Sequence, residues 1–133
     1  MPGIASFGCV LMTIAAAALT ADEATVMNPS GTWEKSGASK SITLRDTATA
    51  FELLVRYPAG HVFAPHWHTA NERIVLLEGK LSIQVGGTEK QLEPGGYAYL
   101  PAKEVQRMKC VSTTRCSFYV AWDGKLDSHK ANE

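Results

Sequence analysis

Short apolar runs separated by turn residues constrain the fold of this chain more than any other feature of its sequence. After position 21, no stretch keeps the i, i+3, i+4, i+7 spacing of apolar residues that an amphipathic helix needs. Runs with alternating or β-branched residues appear instead, and Gly or Pro interrupts them about every 8–12 positions. The sequence predicts strands at residues 41–45, 50–57, 62–68, 73–78, 80–85, 89–92, 97–100, 105–111 and 116–122.

The segments between these strands contain the residues that tight connections require. Gly86-Gly87 is typical of a two-residue β-hairpin, and Pro94-Gly95-Gly96 is typical of a turn. Many short strands at this spacing predict an all-β sandwich or barrel, with a jelly roll as the natural candidate. The chain of 133 residues has the length of one domain and shows no internal repeat. The polar segment 123–133 is predicted to be a loose tail.

Composition and charge exclude some classes of function. The chain has 45% hydrophobic and 20% charged residues, an ordinary balance for a globular protein. It contains 13 Lys and Arg against 13 Asp and Glu, so its formal net charge is zero. A nucleic-acid binder or a polybasic membrane-surface protein would carry a basic surplus. We therefore expect neither nucleic acid nor a membrane as a partner of the mature protein.

The first twenty-one residues are predicted to be a secretory signal peptide. Residues 4–19 are apolar and rich in Ala, and no charged side chain occurs before Asp22. This run is short for a membrane span, which needs about 20 residues, but it suits the apolar region of a leader. The positively charged start of a typical leader is missing, and a helix docked on the domain is the alternative. We expect a mature chain of residues 22–133 that is secreted or periplasmic.

Two cysteines remain in that mature chain. Cys110 and Cys116 flank the polar turn 111–115, and a hairpin centred on Thr113 would place them opposite each other. Cysteines that face each other in this way can meet the Cα separation of a disulfide. A Cys110–Cys116 disulfide is therefore predicted for an exported protein, and two free thiols are the alternative in a reducing compartment.

Two histidines on one predicted strand form a candidate metal half-site. His66 and His68 are two residues apart, so their side chains project from the same face, while Trp67 between them points the other way. His61 has the wrong parity to join them. Glu72 follows four residues after His68 and can turn back to the same metal ion. The alternative is that one histidine lies at the surface and the pairing is a coincidence.

The residues around these histidines resemble the first cupin motif at every defined position. Five spaced positions carry the resemblance: Gly60, His66, His68, Glu72 and Gly79. The resemblance extends over about residues 50–122. It implies a cupin-type double-stranded β-helix, which is a jelly-roll barrel, with a mononuclear metal inside and often a homodimer. It does not imply one reaction, because one fold serves many chemistries.

The second cupin motif is recognisable but altered. Gly95 and, after five residues, Pro101 match it, whereas Lys103, Gln106 and Cys110 stand where the family has Gly, His and Asn. The metal ligands implied by the resemblance are therefore His66, His68 and Gln106, with Glu72 possible. Imidazole and neutral oxygen ligands favour copper if Glu72 stays off the metal, and iron or manganese become the alternative if Glu72 binds. The remaining alternative is a cupin that has lost its metal site.

Aromatic residues suggest how a substrate would be bound. Tyr97, Tyr99 and Trp122 are candidates for stacking on a sugar or another flat ligand, although an aromatic residue in a small barrel is more often part of the core. Together with export and Gln106, they resemble small secreted copper cupins that cleave cellulose oxidatively. That resemblance implies copper, oxygen or peroxide as oxidant, a homodimer, and Glu72 as the catalytic proton-handling group.

Two other classes of function are compatible with the same residues. One is a different metal-dependent cupin enzyme, such as an iron dioxygenase or a sugar isomerase acting on a small molecule. The other is a non-catalytic cupin that only binds a ligand.

Overall fold

The computed structural model describes residues 24–132, so the predicted leader 1–21 lies outside the described residues. In this part of the chain the regular structure is entirely β, and no helix could cross a membrane. The eleven strands are β1 (Glu34–Ser36), β2 (Ser39–Asp46), β3 (Phe51–Tyr57), β4 (Val62–Trp67), β5 (Glu72–Glu78), β6 (Leu81–Val85), β7 (Thr88–Leu92), β8 (Tyr97–Leu100), β9 (Gln106–Cys110), β10 (Cys116–Trp122) and β11 (His129–Lys130).

The strands form two antiparallel sheets that face each other. The six-stranded sheet has the order β1-β2-β3-β10-β5-β8, and the five-stranded sheet has the order β11-β4-β9-β6-β7. From β3 onward the chain passes repeatedly from one sheet to the other, which is the connectivity of a jelly roll. The predicted all-β jelly-roll fold is therefore confirmed.

One apolar core fills the space between the sheets. Strand β10 lies in the middle of the six-stranded sheet, and its inward-facing Phe118 and Val120 are each 1% exposed. Ile74 and Leu76 of β5 and Leu81 of β6 pack with them and have no exposed surface. Because alternate residues of a strand point to opposite faces, strands such as β5 and β10 contribute every second side chain to this core.

The nine predicted strands correspond to β2–β10, with ends that differ by at most two residues. The predicted hairpin at Gly86-Gly87 joins β6 to β7, where Val85 pairs with Thr88. The two strands that the sequence did not predict, β1 and β11, are polar and too short to show apolar alternation. They are held by pairing with β2 and β4, which local sequence does not reveal.

The prediction of a loose tail over 123–133 is wrong for the segment 126–130, which we call the C-terminal strap. His129 pairs with Trp67 of β4 and stacks on its ring at 4.0 Å between centroids. Asp127 is held from the other side, because Thr69 donates its backbone N–H to Oδ1 at 2.9 Å and its hydroxyl to Oδ2. Hydrogen bonds and one aromatic stack therefore fix a segment that has few apolar residues.

The disulfide predicted between Cys110 and Cys116 is present, with a Cα–Cα distance of 5.8 Å. The expected hairpin is not, because β9 and β10 belong to different sheets and do not pair. The bond instead joins the two sheets at one end of the barrel, where both cysteines are fully buried. Gly79 packs directly against it at a φ of +87°, and a Cβ there would lie 2.9 Å from Cys116 Sγ and 2.6 Å from a backbone oxygen. This explains why glycine occupies that position.

Reducing the disulfide should lower the free energy of unfolding by about 2 kcal/mol, because the closed loop is short and limits the entropy that the bond removes from the unfolded chain. Urea unfolding with and without reductant measures the change. The double variant Cys110→Ala/Cys116→Ala is the control and should not respond to reductant. Equal stability of the wild-type protein in both conditions would contradict the prediction.

Replacing Thr69 by Val should loosen the C-terminal strap and reduce stability by about 1 kcal/mol, since one hydrogen bond to a charged group is lost. Burial alone would raise the pKa of Asp127, but the two hydrogen bonds from Thr69 and the contact with His129 outweigh it and lower that pKa to about 2. An unfolded Asp has a pKa of about 3.9. The contribution of Asp127 is therefore complete above about pH 4 and is lost as the pH falls towards 2.

Carbon NMR of the Asp127 carboxyl group measures this effect. Thr69→Val should raise the pKa of Asp127 and make the acid-induced loss of stability shallower. Thr113→Val, a substitution in the exposed turn 111–115, is the matched control. An unchanged Asp127 pKa in Thr69→Val would show that Thr69 does not hold the strap.

Candidate metal centre

The four predicted ligand residues lie together inside the barrel. His66 is on β4, His68 follows that strand directly, Glu72 begins β5 and Gln106 begins β9. All four are buried, with exposed fractions of 4%, 6%, 1% and 2% respectively. His66 and Gln106 are paired across β4 and β9, so the ladder between these strands sets their separation. Both histidines lie on one inward face, as the alternation of side chains along a strand predicted.

Both imidazole rings are held in a defined orientation by backbone carbonyls. His66 Nδ1 lies 2.7 Å from the carbonyl oxygen of Ala64, and His68 Nδ1 contacts the carbonyl oxygen of Asp127. A carbonyl oxygen only accepts, so Nδ1 carries a proton in each ring. The Nε2 atoms therefore face the interior, and hydrogen bonding of the other ring nitrogen is what orients histidines that bind metals.

Glu72 and Gln106 complete the cluster from the other strands. Glu72 Oε2 lies 3.2 Å from His68 Nε2 and 2.5 Å from Gln106 Nε2. Gln106 Nε2 also lies 3.3 Å from His66 Nε2. The amide thus donates to Glu72 and bridges it to His66. Both Nε2 atoms of the histidines, Glu72 Oε2 and Gln106 Nε2 therefore have a partner within the cluster, as burial in an apolar core demands.

The surroundings shift the pKa values of the two histidines in opposite directions. Burial lowers the pKa of His66, and the hydrogen bond to Ala64 only partly compensates, so this ring is neutral near pH 7. Burial also acts to lower the pKa of His68, but the hydrogen bond and charge of Glu72, together with Asp127, outweigh it and raise the pKa. Glu72 therefore makes the two rings electrostatically different.

The donor set fits a metal ion by its chemistry. In residues 24–132, no three His, Cys, Asp or Glu side chains form an arrangement that could hold a metal by themselves. Two oriented imidazoles and a carboxylate are nevertheless ligands that transition metals accept. The 3.2 Å between His68 Nε2 and Glu72 Oε2 is also close to the separation of atoms that share an ion at about 2.1 Å.

Three residues of the cluster, His66, His68 and Glu72, line a cavity of about 390 Å³. Its walls are mostly apolar side chains from both sheets, namely Leu53, Val55, Phe63, Phe118, Val120 and Trp122. The C-terminal strap contributes Leu126, Asp127 and Ser128 to the lining. The strap therefore both orients His68 and borders the cavity, and no apolar or motif-like signal in the sequence pointed to Asp127.

The three aromatic residues predicted to bind substrate do not lie together. Trp122 lines the cavity, with its ring centroid 5.4 Å from that of His68. Tyr97 and Tyr99 are 58% and 48% exposed on β8 and do not line this cavity. Trp67 faces away from the cluster, as its parity predicted, and His61 packs on Tyr57 instead of joining the ligands.

Comparison with known proteins agrees with this architecture. The family model described as "Cupin domain" matches residues 53–122, which is more than half of the chain. A protein of Arabidopsis thaliana, "DNA damage-repair/toleration protein DRT102", is 36% identical over 93 residues. That match includes 68% of this chain but only 28% of the relative, so the chain spans little more than a quarter of the relative's length.

Solved structures show the same fold at low sequence identity. The polyketide cyclase RemF from Streptomyces resistomycificus superposes with a TM-score of 0.72 at 16% identity, over 83% of this chain and 86% of that one. An RmlC-like cupin from Shewanella frigidimarina gives 0.71 at 17% identity, over 80% and 95%. The oxalate decarboxylase of Lactobacillus farciminis gives 0.66 at 13% identity, over 76% and 33%. The matched family model, supported by the fold, shows that this chain belongs to the cupin family.

Proposed function

We propose that the barrel cavity is a mononuclear metal site in which a small, largely apolar molecule reacts. The observation that carries the proposal is the orientation of the two imidazoles, whose Nδ1–H groups are bound to backbone carbonyls so that Nε2 of His68 faces Glu72 and Nε2 of His66 faces Gln106. Fixing both rings limits the side-chain entropy that would be lost when an ion binds. A purely structural core gains little from two histidines and a carboxylate at its centre.

The position of Glu72 bears on which metal is bound. Its carboxylate lies within hydrogen-bond distance of His68 rather than pointing away, and two histidines with one carboxylate are the ligand set of many iron sites. Iron or manganese is therefore favoured, and copper, expected if Glu72 stayed off the metal, is the competing outcome. When bound, such an ion supplies Lewis-acid and redox chemistry that side chains lack.

Gln106 can serve the cluster in two ways. Its Nε2 donates to Glu72, while the other end of the same amide is an oxygen that a cation attracts. Rotation about the last side-chain bond exchanges the two ends. A histidine at this position could not donate from one atom to both Glu72 and His66, as the amide of Gln106 does. This is a physical reason for the departure from the usual family pattern.

The cavity walls are suited to excluding water and orienting a small substrate. Trp122 lines the cavity, and its Nε1–H is buried without a partner in the described residues, so it can donate to an acceptor on the ligand. Burial, and to a smaller extent the charge of Glu72, raises the pKa of Tyr57, which therefore keeps its phenolic proton. Where His66, His68 and Gln106 hold the ion and Glu72 does not, Glu72 would accept a proton removed from the substrate, which is the role predicted for it from sequence.

The more specific hypothesis from the sequence is oxidative cleavage of cellulose by a copper enzyme that uses oxygen or peroxide. The cavity volume of about 390 Å³ suits a small molecule better than a polymer, and Tyr97 and Tyr99 lie outside the lining. The geometry therefore favours the dioxygenase-like or isomerase-like alternative. Secretion and homodimer formation remain predictions.

Replacing either His66 or His68 by Ala should abolish stoichiometric binding of iron or manganese, because the remaining ligands cannot fix the ion. Gln106→Ala should weaken binding about tenfold, as for groups that support a ligand rather than dominate the site. Elemental analysis and isothermal titration with each metal measure these changes, and thermal denaturation checks the fold. His61→Ala removes a histidine packed outside the cluster and is the matched control.

Glu72→Gln distinguishes the metals, since it keeps the shape of the side chain and removes its charge. We expect loss of iron and manganese binding in this variant. Copper binding that survives Glu72→Gln would favour the copper hypothesis. An equal loss of metal binding in His61→Ala and His66→Ala would contradict the proposed site.

Metal-loaded protein should convert small substrates and leave cellulose intact. The assay compares small phenols, small sugars and cellulose, with and without oxygen, peroxide and reductant, and identifies products by mass spectrometry. His66→Ala/His68→Ala is the control for free metal. Oxidised oligosaccharides that form from cellulose only with the intact cluster would overturn the small-molecule reading and support polysaccharide cleavage. A ligand that binds without turnover would support the non-catalytic alternative.

A further inference from the structure

A row of basic side chains lies on the outer face of the six-stranded sheet, opposite to the face that lines the cavity. Lys35 of β1 pairs with Lys40 of β2, and Lys40 pairs with Arg56 of β3. Residues that are directly opposed on neighbouring strands share a face. The register therefore places three like charges side by side, an arrangement that destabilises a sheet unless a negative charge is present.

Arg56 is the best-defined member of this row. Its guanidinium lies 4.1 Å from the ring centroid of Trp33, and the Trp33 indole is held in turn by a hydrogen bond to the carbonyl oxygen of Pro29. Stacking on an aromatic face leaves the in-plane N–H groups of a guanidinium available. Arg56 Nε is buried and has no hydrogen-bond partner in the described residues. A donor that is positioned and unused is unusual in a folded protein.

A cleft of about 240 Å³ opens beside this guanidinium. Three cationic side chains line it, namely Lys40, Arg56 and Arg115, and Trp33 forms one wall. Arg115 Nε donates to Glu78 at 2.7 Å. Within residues 24–132, Lys40 and Arg56 form no ion pair, so Arg115 is the one cation of the three that has an acidic partner. Two positive charges therefore remain uncompensated around the cleft.

We propose that this cleft binds a small oxyanion, such as a carboxylate, phosphate or sulfate group, between Arg56, Lys40 and Arg115. A planar guanidinium fork with lysine beside it is a combination that recognises oxyanions by charge-assisted hydrogen bonds. The volume admits one anionic group with a small substituent. The site is distinct from the metal centre, because Lys40 and Arg56 line the cleft and not the cavity, whereas Val55 lines the cavity and not the cleft; Tyr57 borders both.

Titration of the protein with inorganic phosphate, sulfate and acetate tests the proposal, at a constant ionic strength maintained with sodium chloride. Isothermal titration and two-dimensional amide NMR should show saturable binding of one anion, with the largest shifts around Arg56 and the Trp33 indole N–H. Phosphate or sulfate binding more tightly than acetate would assign a tetrahedral anion, and the reverse order would assign a carboxylate.

Lys40→Ala and Arg56→Gln should each weaken binding about tenfold, the amount expected for one charge-assisted hydrogen bond. Lys109→Ala removes an exposed lysine from β9 in the other sheet and is the matched control, with no change expected. His66→Ala/His68→Ala should also bind normally, which separates this site from the proposed metal centre. Arg56→Lys keeps the charge, and the expected partial recovery would show that charge contributes and that the guanidinium shape adds to it.

Three results would overturn the proposal. The first is the absence of saturation with all three anions. The second is an equal loss of affinity in Lys109→Ala and Arg56→Gln, which would indicate general screening of surface charge. The third is loss of binding in His66→Ala/His68→Ala with no loss in Arg56→Gln, which would place the anion in the cavity.

Discussion

The carboxylate of Glu72 has 1% of its surface exposed at the centre of an apolar barrel, and the arrangement of the interior depends on satisfying it. A buried charge without partners would destabilise the fold by several kcal/mol. Its partners come from the opposite sheet: His68, which follows β4, and Gln106 of β9. The two sheets are thus joined by polar contacts at the middle of the barrel as well as by the disulfide at one end.

A chain of contacts connects this carboxylate to the surface of the molecule. Thr69 holds the Asp127 carboxylate, the Asp127 backbone carbonyl orients His68, and His68 contacts Glu72. The C-terminal strap is therefore part of the support of the candidate metal centre, although it contains few apolar residues. Movement of the strap would change the ring orientation of His68 and so disturb the site, because Nε2 faces the interior only while Nδ1 is hydrogen-bonded to Asp127.

Strand alternation divides the six-stranded sheet into two chemically different surfaces. On β3, Val55 lines the cavity and Arg56 lines the basic cleft on the outside, while Tyr57 borders both. One short strand thus serves an apolar interior, which suits a small neutral molecule, and a cationic exterior, which suits an oxyanion. The separation follows from the period of two in an extended chain and needs no additional structural element.

The sequence by itself determined the strands β2–β10, the shared face of His66 and His68, the first cupin motif with Glu72, and the altered second motif in which Gln106 takes the place of histidine. These features are local, since alternation, turn residues and motif spacing are carried by neighbouring residues. Only the tertiary structure decided that Cys110 and Cys116 join two sheets, that Asp127 orients His68, and that Tyr97 and Tyr99 face away from the cavity. It also brought Lys35, Lys40 and Arg56 into register. Such contacts depend on which strands become neighbours, and that is set by burial of the whole apolar core rather than by any single segment.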